Sequence, residues 1–173
     1  MNNWFMLTVV GKDRPGIVAH VTSALFDGGC NLGEASMMRI GGNFTIMLMV
    51  QHKGTAKSLL GMLAAVAESL ELHVHVDKIE GELHRHVEPD VMITVFGADR
   101  AGIVAKVTGA LAEAGLDILN LESDVGGSED SPVYIMHIEG CAKEGIESLQ
   151  SALDVVTSEG IEAKLTPIET LIG

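Results

Sequence analysis

Two segments of this 173-residue chain set an acid, a base and a glycine in one four-residue order: Asp13-Arg14-Pro15-Gly16 and Asp99-Arg100-Ala101-Gly102. At the start of a helix, such a run could hold a small zwitterion. Free N–H groups and the positive end of the helix dipole favour a carboxylate there. Glycine at Gly16 and Gly102 lets a small molecule come close to the backbone. Arg14 or Arg100 could meet the same carboxylate with two parallel donors, while Asp13 or Asp99 faces an ammonium group. The residues also admit a purely structural reading, in which Asp caps the helix, Gly satisfies the backbone and Arg is solvated. Residue chemistry leaves both readings open.

These loops must be placed by the elements around them, and the chain writes those elements twice. The segment TVVGKDRPGIVAHVTSALFDGGCNL realigns onto TVFGADRAGIVAKVTGALAEAGLDI at an offset of 86, with 12 of 22 positions identical over residues 11–32. In the first copy, residues 4–10 form an apolar strand and Pro15 suits the first turn of a helix. Ile17, Val18, Val21, Ala24 and Leu25 then mark one buried helix face, which Gly28-Gly29 ends. A strand over 31–40, a Gly41-Gly42-Asn43 turn and a strand over 44–52 form a hairpin. Thr55 caps a helix over 56–70 with Leu59, Leu60, Leu63, Val66, Ala67 and Leu70 on its apolar side. A last strand, 72–79, points Leu72, Val74 and Val76 inward and His73, His75 and Asp77 outward.

The second copy repeats this with strand 91–97, helix 101–114, strands 117–125 and 132–139, helix 143–157 and strand 161–168. Its hairpin, Gly126 to Pro132, reads as a longer and more acidic turn. The fold class is therefore α+β: two ferredoxin-like βαββαβ domains, each an antiparallel four-stranded sheet with helices on one face. The domains span 1–80 and 90–173, joined by a connector over 81–89. Residues Trp4–Val10 and Phe44–Val50 are apolar on both alternating faces, so the sheet face without helices is expected to pair with another module.

The residues that open the second strand of each copy are further candidates: Asn31 in the first, Asp117 and Asn120 in the second. The topology is read as bringing them to the sheet end of the Asp-Arg loop, where Asn offers both donor and acceptor.

A strand, then D-R-P/A-G-I-V at a helix start, then a glycine-ended helix leading into N-L or D-I, resembles the ACT domain. Two such modules together resemble the glycine cleavage system transcriptional repressor family. The resemblance implies regulatory domains that bind amino acids at interfaces between paired modules. It carries over ligand positions Asp13, Arg14, Pro15, Gly16 and Asn31, with Asp99, Arg100, Gly102 and Asp117. Ala101 departs from the proline of the first copy. The family further implies a cytoplasmic repressor without its own DNA-binding domain, acting on a DNA-bound activator under control of glycine or a serine-like ligand. The alternatives are a ligand-independent scaffold protein and an allosteric regulator of an amino-acid metabolic enzyme. A homodimer is expected, since small sheets leave apolar edges and faces to cover.

Charge excludes one class of partner. The chain carries 24 acidic and 11 basic side chains, a net of −13, and residues 87–173 hold 16 of the acids against 4 bases. Such a chain has no basic patch to release counterions from nucleic acid, and aromatics at 3% leave little for base stacking. The acidity is assigned to Glu122, Asp124, Glu129-Asp130, Glu144, Glu147, Asp154 and Glu159, on surfaces away from the Asp-Arg loop, as a solvated face or a docking surface for a basic protein. The opening residues lack the features of a signal peptide, and no apolar run reaches the roughly 18 residues of a membrane span. Cys30 and Cys141 read as reduced, incidental thiols. His52, His73, His75, His84 and His86 could answer to metal or pH, but no Cys or spaced carboxylate completes a metal site. No phosphate-binding, nucleophile-elbow or zinc-protease motif is present. The sequence is read as a non-enzyme without metal or cofactor.

Overall fold

The structure, a computed structural model, describes residues 3–80, 87–98, 102–128, 131–157 and 161–168, the side chains of Ala98 and Ser131 excepted. The chain divides into two compact units, Met1–His84 and Arg85–Gly173. The first contains β1 (Asn3–Lys12), α1 (Ile17–Asp27), β2 (Asn31–Ile40), β3 (Asn43–His52), α2 (Ala56–Leu70) and β4 (His73–Lys78). The second contains β5 (Val91–Ala98), α3 (Ile103–Glu113), β6 (Leu116–Ser128), β7 (Ser131–Ala142), α4 (Ile146–Thr157) and β8 (Glu162–Pro167). Both sheets are four-stranded and antiparallel between neighbours, ordered β2-β3-β1-β4 and β6-β7-β5-β8. This is the ferredoxin-like βαββαβ arrangement, twice.

Alternation along the strands separates the two faces of each sheet. In the first unit Phe5, Leu7 and Val9 of β1 and Phe44, Ile46, Leu48 and Val50 of β3 pack against Ile17, Val21 and Leu25 of α1 and Leu59 and Leu63 of α2. The second unit repeats this with Val91, Ile93, Val95, Met136 and Ile138 against Val107, Leu111, Leu149 and Leu153. Val18 and Leu60, assigned by spacing to buried helix faces, are instead exposed. Each directly follows a buried residue, Ile17 or Leu59, and one helical step of about 100° carries it from the centre of the apolar stripe to its margin.

Helix boundaries follow from capping. In α2, Thr55 Oγ1 accepts from the Ser58 N–H at 3.2 Å, and the Thr55 N–H donates back to Ser58 Oγ at 3.0 Å. This reciprocal box satisfies two N–H groups that helix geometry leaves unpaired. In α1 the cap is Gly16, left-handed at φ 89°, with Ile17 the first helical residue. Pro15 therefore precedes the cap rather than occupying the first turn. The second hairpin also differs from its sequence reading. Pairing continues through Gly126–Val133 and Gly127–Pro132 to Ser128–Ser131, so these residues extend the ladder instead of forming a long turn. Glu129 and Asp130 lie outside the described residues, as do residues 81–86 of the expected connector and Glu159.

Candidate functional site

The end of the first sheet where β1 finishes gathers three connections: the 13–16 loop, the β2–β3 turn and the α2–β4 turn. Register explains this. Lys12 pairs with Asn43, and Asn43 with Ile40, so the Gly41-Gly42 turn lies beside the loop. The Asp13 N–H donates to the Gly42 carbonyl at 3.0 Å and fastens the two together. Both turn glycines have positive φ, 57° and 75°, as a tight two-residue hairpin turn requires.

Four charged side chains meet here in two ion pairs. Arg39 at the end of β2 pairs with Asp13, and Arg14 pairs with Glu71. Glu71 closes α2 in a left-handed conformation, φ 53°, alone among the described non-glycine residues in having positive φ. Asp13 therefore makes no capping bond to α1, and Arg14 is not simply solvated. The structural reading of both side chains is replaced by ion pairing. Each pair is partly exposed, so its Coulomb energy is screened. A ligand's charged groups could enter at modest cost, Arg14 retaining donors not used by Glu71.

Gly16 positions this cluster. Its left-handed backbone turns the chain from the loop into α1 and leaves the cap without a side chain. His20, one turn along, donates from Nδ1 to the Gly16 carbonyl at 2.7 Å, since a carbonyl can only accept. That bond ties the cap from inside the helix. The first-turn N–H groups of α1 follow this cap directly, and a carboxylate is favoured at such a helix start. Gly102 repeats the backbone at φ 85° in the second unit. Asp99, Arg100 and Ala101 fall outside the described residues.

Asn31 does not join this cluster. It pairs across β3 with Gln51, which lies opposite Trp4, and its side-chain amide donates to the Gln51 side chain at 3.2 Å. The eight-residue step from Trp4 to Lys12 separates the two places by roughly 26 Å at about 3.3 Å per residue. The physical reason is direction: α1 carries the chain back to the start of β1, and β2 then runs parallel to β1. The residues of β2 that reach the Asp13 loop are its last ones, Arg39 and Ile40. Asp117 and Asn120 are likewise at the far end of the second sheet, pairing with Cys141 and Glu139, and Asp117 is held by Lys143 at 2.8 Å.

Register also names what stands for Arg39 in the second unit. Arg39 lies across Phe44 from Gly11, and Val125 lies across Tyr134 from Gly97, so Val125 occupies the matching position. The cation of the first cluster has no counterpart there. The same direction argument relocates part of the acidity: Asp124 stands beside Ile135 and Phe96, close to the loop end and not remote from it.

Sequence reasoning therefore missed Arg39, Glu71 and His20. The βαββαβ order itself holds the signal for Arg39, because a strand parallel to β1 must end, not begin, beside the β1–α1 loop. Among the described residues the histidines gather no metal set. His75 Nε2 lies 2.9 Å from the Asp77 carboxylate on β4, and no group of three ligating side chains occurs among the described residues. His84 and His86 lie outside those residues. Among the described residues, no helix is long and apolar enough to cross a membrane.

Comparison with known proteins agrees with the repeat. Family models described as ACT domain match residues 3–77 and residues 91–156. The glycine cleavage system transcriptional repressor of Escherichia coli K12 is 22% identical over 138 residues, covering 79% of this chain and 73% of that protein. A crystal structure of an unknown protein from Galdieria sulphuraria superposes with a TM-score of 0.77 at 23% identity, covering 98% of this chain and 100% of the other. The crystal structure of a candidate glycine cleavage system transcriptional repressor gives a TM-score of 0.74 at 19% identity over 98% and 99% of the two chains. At these identities the structural likenesses establish fold.

Proposed function

The chain belongs to the ACT domain family as two domains in tandem, and on that premise we propose that it senses a small free amino acid and signals to a protein partner. The observation that carries this reading is the charged cluster around the left-handed cap at Gly16. Asp13 and Arg39 on one side, and Arg14 and Glu71 on the other, offer both signs of charge at an uncapped helix start. A zwitterion fits that pattern. Its carboxylate takes Arg14 and the first-turn N–H groups, and its ammonium takes Asp13 or Glu71. Small size favours glycine or serine, because glycine at the cap lets a small molecule approach the backbone closely.

Similarity to the glycine cleavage system transcriptional repressor of E. coli supports a regulator of glycine cleavage rather than an enzyme; the proposed route is a DNA-bound protein partner in the cytoplasm. The acidic second unit supports the same route, since it would repel the phosphate backbone. Glu147 and Asp154, exposed on one face of α4, are the proposed contact for a basic partner. Reversing both charges should abolish co-purification with that partner and leave ligand affinity unchanged.

Titration calorimetry with glycine, serine and the other amino acids tests the sensor. Binding is expected, and Arg14→Ala should weaken it roughly tenfold or more, the worth of a charge-assisted hydrogen bond of about 1.5–3 kcal/mol. A folded protein that binds no amino acid would refute this reading. Gly16→Leu is a poor probe, because φ 89° disfavours any side chain and the variant would confound strain with lost binding.

A further inference from the structure

A second set of reactive side chains lies at the other end of the first sheet, where α1 gives way to β2 and β3 leads into α2. Cys30, only 6% exposed, sets its Sγ 3.6 Å from Nδ1 of His52, the last residue of β3. The other ring nitrogen, Nε2, lies 2.8 Å from Ser58 Oγ in the first turn of α2. This is the end that holds Asn31, remote from the charged cluster at Gly16.

Proton counting gives the state of the ring. Ser58 has one hydroxyl proton, and it goes to the Thr55 carbonyl at 2.7 Å. Its oxygen therefore accepts from the Thr55 N–H at 3.0 Å and from His52 Nε2–H. A neutral imidazole protonated at Nε2 carries its lone pair on Nδ1, and that lone pair faces the Cys30 thiol. Nucleophile, base and orienting group thus stand in the order that activates a weak nucleophile. Gly54 leaves room for them: an added Cβ there would lie 2.4 Å from His52 Nε2 and 2.5 Å from Ser58 Oγ.

The fold does not require these groups. In the second unit Leu116 lies opposite Ala142, and register gives these two the places of Cys30 and His52. Replacing both partners of a hydrogen bond by apolar groups costs little. Packing alone therefore does not account for a thiol with a base beside it.

We infer that Cys30 is a site of oxidation by hydrogen peroxide, with His52 as the base that takes the thiol proton. Burial holds the resting thiol neutral, above the usual cysteine range, so the sulfur stays inert until its proton leaves. Nδ1 takes that proton as the sulfur attacks one peroxide oxygen. The O–O bond breaks, and the departing hydroxide takes the proton from Nδ1 and leaves as water. Sulfur loses two electrons, peroxide gains them, and Cys30 becomes a sulfenic acid. Slight exposure selects a reactant of this size over a bulky disulfide.

Mass spectrometry of the full chain, reduced and then treated with hydrogen peroxide and dimedone, tests the inference. Dimedone marks sulfenic acid and ignores the sulfoxide that exposed methionines also form. Cys141 is the internal reference. It is the more exposed thiol, and it donates to the Glu88 carbonyl at 3.2 Å, an acceptor that cannot carry the proton away. Accessibility alone ranks Cys141 first, whereas base assistance should label Cys30 faster by about tenfold or more. His52→Gln keeps a donor for Ser58 but removes the base. It should slow Cys30 by about tenfold or more and leave Cys141 unchanged. His52→Phe serves the same purpose should His52→Gln lose its native circular dichroism. Cys30 labelled no faster than Cys141, or at its wild-type rate in the folded histidine variant, would overturn the inference. The readout needs no amino acid, so this site and the sensor can fail separately.

Discussion

In the first unit the open sheet face is built from Trp4, Met6, Met47 and Met49; in the second, the same register positions bring Glu139, His137 and Met92 forward. The helix-covered faces do not differ in this way. Leu7 and Ile93, at equivalent places on the first strands, are both fully buried, as are Val21 and Val107. The two copies thus agree on the side of each sheet that packs against its helices and differ on the side left uncovered. The loop site shows the same divergence on a smaller scale. Arg39 braces Asp13 in the first unit, and Val125 stands in the matching position of the second.

The largest effects should come from the conserved cores, and they test whether the units are energetically separate. Leu7→Ala and Ile93→Ala should each cost roughly 2–5 kcal/mol, from lost burial plus the cavity left behind. Trp4 is the sole tryptophan, so fluorescence reports on the first unit alone. In urea, Leu7→Ala should move the fluorescence transition, and Ile93→Ala should move only the part of the dichroism signal that fluorescence does not follow. Coincident transitions shifted equally by both variants would show that the copies unfold as one.

Smaller losses are expected at the two helix caps. Gly16→Ala and Gly102→Ala both place a side chain at positive φ, 89° and 85°, at a cost of about 1–2 kcal/mol each. Gly16→Ala should be the worse, since its Cβ would lie 3.3 Å from the His20 ring, whereas nothing lies within 4 Å of Gly102. Equilibrium unfolding that finds the Gly102 variant more damaged would contradict this account of the caps.

The smallest difference is a pH dependence confined to the first unit. Burial pushes the Cys30 thiol above the usual range for cysteine. Its folded-state value is therefore higher than its unfolded one. The stability this contributes is full below the unfolded thiol value of about 8.5 and is lost as pH rises through the folded value. Leu116 occupies the corresponding position at the start of β6 and cannot titrate. Cys30→Ala should flatten the alkaline fall in stability of the fluorescence transition. An unchanged slope would assign that fall to another group.

Much of the fold is readable along the chain because its signals are local. Gly41-Gly42 announces a turn through backbone freedom, Thr55 and Ser58 announce a cap through side chains within reach of nearby N–H groups, and alternating valines mark strands. The long ladder at Gly126–Ser128 is missed for the complementary reason. Glycine, serine and proline read locally as turn residues, but hydrogen bonds to the opposite strand hold them in a sheet. The site is only half legible. Asp13, Arg14 and Gly16 lie within four residues at a helix start, whereas Arg39 and Glu71 arrive from two other connections, 26 and 57 residues beyond Asp13 and Arg14 respectively, and reveal themselves only as ion-pair partners. Asn31 shows the reverse: its chemistry suits, but the register places it at the other end of the sheet from the Asp13 loop.

By itself the amino-acid sequence determined that one module is repeated, which elements compose it, the capped start of α2 and which half carries the charge. These follow from periodicity, capping chemistry and composition, all short-range along the chain. Tertiary structure alone decided which sheet end each strand terminus reaches, which charges pair, and which face of each sheet is left uncovered. Strand direction and register govern those outcomes. Both are set by hydrogen bonds between segments distant in sequence, so no local pattern contains them.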